Sequence, residues 1–161
     1  MSLKKLAGII LLVLLLFAAI WFYKTYKTLP TFPAYENPLI NDNGQTVNVS
    51  DLKDRYVLIS YFQTWCGDCI KELPSIDKLQ NEVGNKKLIV LMVSDEKKDK
   101  IDRFKEKYCN TLNYYQSLKS LHDMNIRVFP TTYLLDKKGA VIMGKLEGYD
   151  WSNEQVIQLI K

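Results

Sequence analysis

Cys66 and Cys69 bracket Gly67 and Asp68 in a Cys-x-x-Cys pair. Two thiols at this spacing can act as a dithiol–disulfide couple or as half of a metal shell. Trp65 precedes the pair, and Glu72 follows Cys69 by one helical step of three residues. A carboxylate in that position can take a proton from the second thiol and return it. Exchange runs through a thiolate, so the first sulfur needs surroundings that favour negative charge.

The flanking residues supply such surroundings. Val57-Leu58-Ile59-Ser60-Tyr61-Phe62 is an apolar, β-branched run of strand length. Past the pair, Ile70, Leu73, Ile76 and Leu79 recur at helical spacing. A strand therefore runs through a short turn into a helix, with Cys66 at the helix start. Unpaired N–H groups and the positive end of the helix dipole favour a thiolate there. Cys69, one turn in, is the resolving thiol.

The metal alternative needs two more ligands. Cys109 and His122 would complete a Cys3His set. Structural zinc pairs usually sit on loops or knuckles rather than behind a buried strand, so the pair reads as redox-active. No metal and no cofactor beyond a Cys66–Cys69 disulfide is expected. Cys109 reads as an incidental half-buried thiol, and His122, the only histidine, as a surface or capping residue.

The motif and its strand-to-helix context resemble the thioredoxin superfamily. The fold this implies is α/β: a central mixed sheet flanked by helices. A second stretch carries the same resemblance: Arg127-Val128-Phe129-Pro130-Thr131-Thr132-Tyr133-Leu134-Leu135. In the family a cis-proline lies against the cysteine pair and offers backbone groups to an extended substrate chain. Pro130 is the matching residue, and Phe129, Thr131 and Trp65 are the implied substrate contacts. Thioredoxin carries a buried Asp on the strand six residues before the first cysteine; here that residue is Ser60. The anchored TlpA/ResA branch instead uses a Glu three residues after the second cysteine, which is Glu72. Gly67 and Asp68 fill the positions between the thiols that tune the couple. Asp68 stands where thioredoxin has proline, and its charge opposes the thiolate and favours the disulfide.

The chain has 161 residues and a formal net charge of +4. Basic and acidic residues are interspersed, so nucleic-acid binding is not indicated. Residues 1–5 form a short tail with Lys4 and Lys5. Leu6 to Tyr23 carries no charge. As a helix it would be about 27 Å long, near the hydrocarbon thickness of a bilayer. Trp21, Phe22 and Tyr23 make an aromatic end suited to the interface. Phe17 stands where a cleavage site before Ala18-Ala19 would want a small side chain, so the segment reads as an uncleaved anchor. Residues 24–36 hold Pro30 and Pro33 and read as an extended tether, and residues 37–161 as the folded domain. Lysines on both sides nearly balance, so orientation rests on the resemblance: a bacterial cytoplasmic-membrane protein, single-pass, with its domain on the extracytoplasmic side. The partners this implies are protein thiols or disulfides and a membrane electron donor.

Within the domain, Asn43-Gly44 marks an added N-terminal hairpin, and Ser50 to Asp54 a helical turn. Pro74 lies inside the motif helix, which ends at Gly84-Asn85. Leu88 to Ser94 is a second buried strand, parallel to the first. Glu96 to Tyr108 is a surface helix, followed by a short strand near Tyr114 and a helix over Ser117 to Met124. This block resembles the central insertion of the anchored branch. Thr131 to Leu135 and Ala140 to Lys145 are paired strands. Ser152 to Lys161 is a terminal helix with Val156, Ile157, Leu159 and Ile160 inward. A peroxidase of the peroxiredoxin type is the competing enzyme reading. It needs a Thr-x-x-Cys site with an arginine nearby, which Trp65-Cys66 does not provide.

Overall fold

The run Tyr56–Tyr61 forms the central strand β3 because it can bury both faces. A computed structural model describes residues 3–32, 37–52 and 54–160. Helix α1 spans Leu3–Tyr26, longer at both ends than the expected anchor, and its side chains from Lys4 to Lys24 are exposed. It is long and apolar enough to cross a membrane. The sheet strands are β1 (Leu39–Ile40), β2 (Thr46–Val47), β3, β4 (Leu88–Ser94), β5 (Tyr114–Ser117), β6 (Thr131–Leu135) and β7 (Val141–Leu146). The helices are α2 (Gly67–Val83), α3 (Lys98–Tyr108) and α4 (Glu154–Ile160).

The strands lie in the order β2-β1-β5-β4-β3-β6-β7. β3 runs parallel to β4 and antiparallel to β6, so the sheet is mixed as expected. Alternation along β3 divides the core. Leu58 and Phe62 join the apolar cluster that includes Leu73 and Ile76 of α2, Phe104 of α3 and Val156 of α4. Val57, Ile59 and Tyr61 join the opposite cluster with Leu91, Leu121, Ile126 and Tyr133. Ser60 lies on the helix side, directly opposite Thr132 of β6. Two hydroxyls therefore enter an otherwise apolar layer.

Several expectations are corrected. Ser117 to Met124 is not a helix: Ser117 ends β5, and residues 121–125 form only turns. Asn125 takes a positive φ of 61° there, which stops helical propagation. Leu159 is 40% exposed rather than inward, while Val156, Ile157 and Ile160 are buried. Asn153 caps α4 by accepting from the Val156 N–H at 3.1 Å. The hairpin turn is wider than two residues: Asn41 Oδ1 gathers the N–H groups of Asn43 and Gln45, and Gly44 supplies a φ of 74°. The expected turn before β3 is a short 3-10 segment, Val49–Asp51, with Lys53 outside the described residues. The expected extended tether is in part helical and in part docked. Residues 24–26 belong to α1, residues 27–32 pack on the domain, and residues 33–36, with Pro33, lie outside the described residues. Met1 and Ser2 of the tail and Lys161 also lie outside them.

Ile76 is fully buried on α2. Replacing it with Ala is expected to remove about 3 kcal/mol of stability, read by urea unfolding of the full chain in detergent. Leu159→Ala should shift stability by no more than about 0.5 kcal/mol in the same assay.

Candidate functional site

Gly67 begins α2 immediately after Cys66, so Cys66 becomes the helix N-cap in extended conformation. Its Sγ accepts the Cys69 backbone N–H at 3.2 Å. A helix start that points an N–H at sulfur stabilises negative charge on that sulfur. Cys66 and Cys69 are joined in a disulfide, with Cα atoms 5.3 Å apart. Both are buried, Cys66 at 6% and Cys69 at 1% exposure, so Cys66 is the more accessible residue by a small margin. The segment before them is anchored from β4's end. Gln63 donates to Asp95 at 2.7 Å, and the Thr64 N–H donates to Glu96 at 2.6 Å.

Phe129-Pro130 is a cis peptide. Trp65 and Phe129, the residues just before Cys66 and Pro130, meet edge to face with ring centroids 6.0 Å apart. The two loops therefore adjoin. Trp65 is 72% exposed and Phe129 half-buried, so this aromatic pair is an open ledge beside the sulfurs rather than a packed cover. The Pro130 carbonyl already accepts the Glu147 N–H at 2.9 Å. Thr131 is buried, and its hydroxyl donates to the Val128 carbonyl at 2.6 Å. Its side chain is turned into the protein and braces the loop.

Glu72 is only 3% exposed. Trp151 Nε1 donates to its Oε1. The Thr132 hydroxyl lies 3.5 Å from Oε2 and 2.9 Å from Ser60 Oγ. Burial pushes the Glu72 carboxyl up to about 7, against the pull of the hydrogen bonds from Trp151, the Tyr149 backbone, Thr132 and Ser60. A group balanced near neutral pH both takes and gives protons readily. Spacing puts it on nearly the same face of α2 as Cys69. A groove of about 690 Å3 opens beside it, lined by Asp68, Lys71, Ser75, Tyr149 and Asp150. Ser75 closes the floor: its hydroxyl contacts the Glu72 and Tyr149 carbonyls and accepts the Trp151 N–H.

Asp68 is exposed and paired with Lys71 at 2.8 Å, which offsets part of its charge toward the sulfurs. Gly67 has open space where a Cβ would stand, so packing does not demand glycine there. Cys109 caps the end of α3 and sits 3.2 Å from the Thr111 hydroxyl, while His122 faces Asp123 at the surface. Among the described residues no group of three His, Cys, Asp or Glu side chains could hold a metal ion. The residues that hold Glu72 escaped sequence reading. Trp151 lies 79 positions away and follows no motif. Ser60 alone left a signal, as a polar residue inside an apolar strand.

A family model described as the AhpC/TSA family matches residues 27–144. The thioredoxin-like protein YneN of Bacillus subtilis is 33% identical over 147 residues, covering 86% of each chain. The thiol-disulfide oxidoreductase ResA of Bacillus cereus is 29% identical over 119 residues, covering 66% of this chain and 68% of that protein. The crystal structure of the thioredoxin domain of a thiol-disulfide oxidoreductase from Bacteroides vulgatus superposes with a TM-score of 0.71 at 24% identity. It covers 83% of this chain and 99% of that one, and it shows the shared thioredoxin-like fold.

Because folding lifts the Glu72 carboxyl from 4.5 to about 7, the folded state binds its proton more tightly than the unfolded chain. The sign follows. This group costs nothing below pH about 4.5, and stability falls as pH rises to about 7, by roughly 3 kcal/mol in total. Glu72→Gln should flatten that slope in chemical unfolding measured between pH 4 and 8. Trp151→Phe removes one donor to the carboxylate and should raise the Glu72 titration by about one to two units, read by carboxyl NMR.

Proposed function

This chain belongs to the AhpC/TSA family, and we propose that it is a thiol–disulfide oxidoreductase that reduces disulfides in protein substrates. The observation that carries this reading is the Cys66 sulfur at the mouth of α2, held by the Cys69 N–H and bonded to Cys69 beside a cis-proline loop. In the reduced protein the Cys66 thiolate attacks a substrate disulfide, forms a mixed disulfide and expels one substrate thiolate, which takes a proton. Glu72 then accepts the Cys69 proton. The Cys69 thiolate attacks the Cys66 sulfur, and the second substrate sulfur leaves as a thiolate that takes a proton from solvent. The substrate gains two electrons, and the protein is left as its Cys66–Cys69 disulfide. The Glu72 proton can leave through the groove beside it while substrate covers Cys66.

The exposed apolar helix α1 supports the further reading of a single-pass membrane anchor with the domain on the extracytoplasmic side. Such a compartment has no thiol pool, so a membrane electron donor must return two electrons to the disulfide. Trp65 and Phe129 present the apolar ledge against which a substrate chain is received. Asp68 favours the disulfide and so a stronger reductant.

The test is the reduction potential of the Cys66–Cys69 couple with turnover of a disulfide-bonded protein such as insulin. A potential near or below about −270 mV is expected, and one near about −120 mV overturns the reductant reading. Cys66→Ser should abolish turnover, and Cys69→Ser should accumulate a mixed disulfide on Cys66. Glu72→Gln should slow release of that intermediate by about 100-fold. Hydrogen peroxide turnover at a rate matching insulin reduction would instead support the peroxidase reading.

A further inference from the structure

We propose that residues 27–32 form a docked strap that holds the disulfide face of the domain toward the bilayer, so that the exchanging partner presents its thiols at the membrane surface. This rests on the anchored, redox-active reading above. An undocked tether of 13 residues would let the domain range roughly 45 Å from the end of the span. The structure removes most of that freedom. Lys27 is the first residue past α1, and its Nζ lies 3.3 Å from Glu147 Oε1. The Glu147 N–H in turn donates to the Pro130 carbonyl. One residue thus links the end of the span to the cis-proline loop. Tyr26, the last residue of α1, shares a cavity of about 310 Å3 with Gln63, Arg127 and Phe129.

The Lys27–Glu147 pair is more than half exposed and contributes little by itself. The apolar seat carries more. Leu29 lies over Gly144 of β7 so closely that a Cβ there would stand 2.2 Å from Leu29 Cδ2. The Pro30 carbonyl accepts the Tyr133 hydroxyl at 2.8 Å. Phe32 meets the Tyr133 ring edge to face at 5.1 Å and packs on the cluster under β6. Contacts at residues 27, 29, 30 and 32 fix the strap along its length. A site held that way favours partners embedded in the same bilayer over proteins in solution, because the strap raises their effective concentration at Cys66.

The experiment uses the full chain reconstituted in phosphatidylcholine vesicles. Reduction of the Cys66–Cys69 disulfide is followed with two probes: a dithiol carried on a lipid headgroup, and dithiothreitol in solution. Lys27→Glu combined with Leu29→Ser releases the strap by charge reversal and loss of its apolar seat. Gly144→Val displaces Leu29 from the opposite side. Both forms should lose on the order of tenfold in rate with the lipid dithiol and match the unaltered chain with dithiothreitol. Unchanged rates with the lipid dithiol overturn the inference, as does an equal loss with both probes. A disulfide in the unaltered chain that dithiothreitol cannot reduce would instead overturn the exchange activity itself.

Discussion

Burying a carboxyl group removes it from water, and the protein must return what water gave. Glu72 sets that constraint, and four groups from three surrounding segments meet it. The Trp151 indole comes from the approach to α4, the Tyr149 backbone from the loop before it, and hydroxyls from β3 and β6. Because the donors only partly offset burial, the group stays near neutrality instead of becoming a plain carboxylate. A fully satisfied acid would be a poor proton acceptor at neutral pH, and an unsatisfied one would threaten the fold.

The same economy governs the sulfurs. The helix start gives Cys66 an N–H from Cys69 and the positive end of α2, while the adjacent Asp68 pulls the other way. Lys71 holds Asp68 at the surface, which moderates the opposition without removing it. Beside the sulfurs lies the exposed Trp65–Phe129 pair, and two polar groups of the proline loop are engaged within the protein. Thr131 turns inward, and the Pro130 carbonyl is taken by Glu147.

The strand-to-helix junction around Cys66 was legible because local pattern decides it: a continuous apolar, β-branched run through Phe62, then helical spacing from Ile70. The parallel partner β4 and the pair β6–β7 were legible for the same reason. Ser117 to Met124 was misread because its apolar residues serve the core from a turn, not from a helical face. Leu159 was placed inward by composition, yet α4 is too short to bury every apolar residue it carries. The strap was read only as part of an extended tether, because its prolines suit an extended chain whether or not that chain is docked. What holds it, the absence of a side chain at Gly144, is a tertiary fact with no local signature. Trp151 escaped for the same reason.

Moving the acid from the strand to the helix has a mechanical consequence. In thioredoxin the buried carboxyl belongs to the sheet, so a shift of the motif helix alters its distance from the second sulfur. Here both groups ride on α2, one turn apart, and Ser60 keeps only a hydroxyl on the sheet. Cys69 and Glu72 keep their spacing along one helix, like two marks on one ruler.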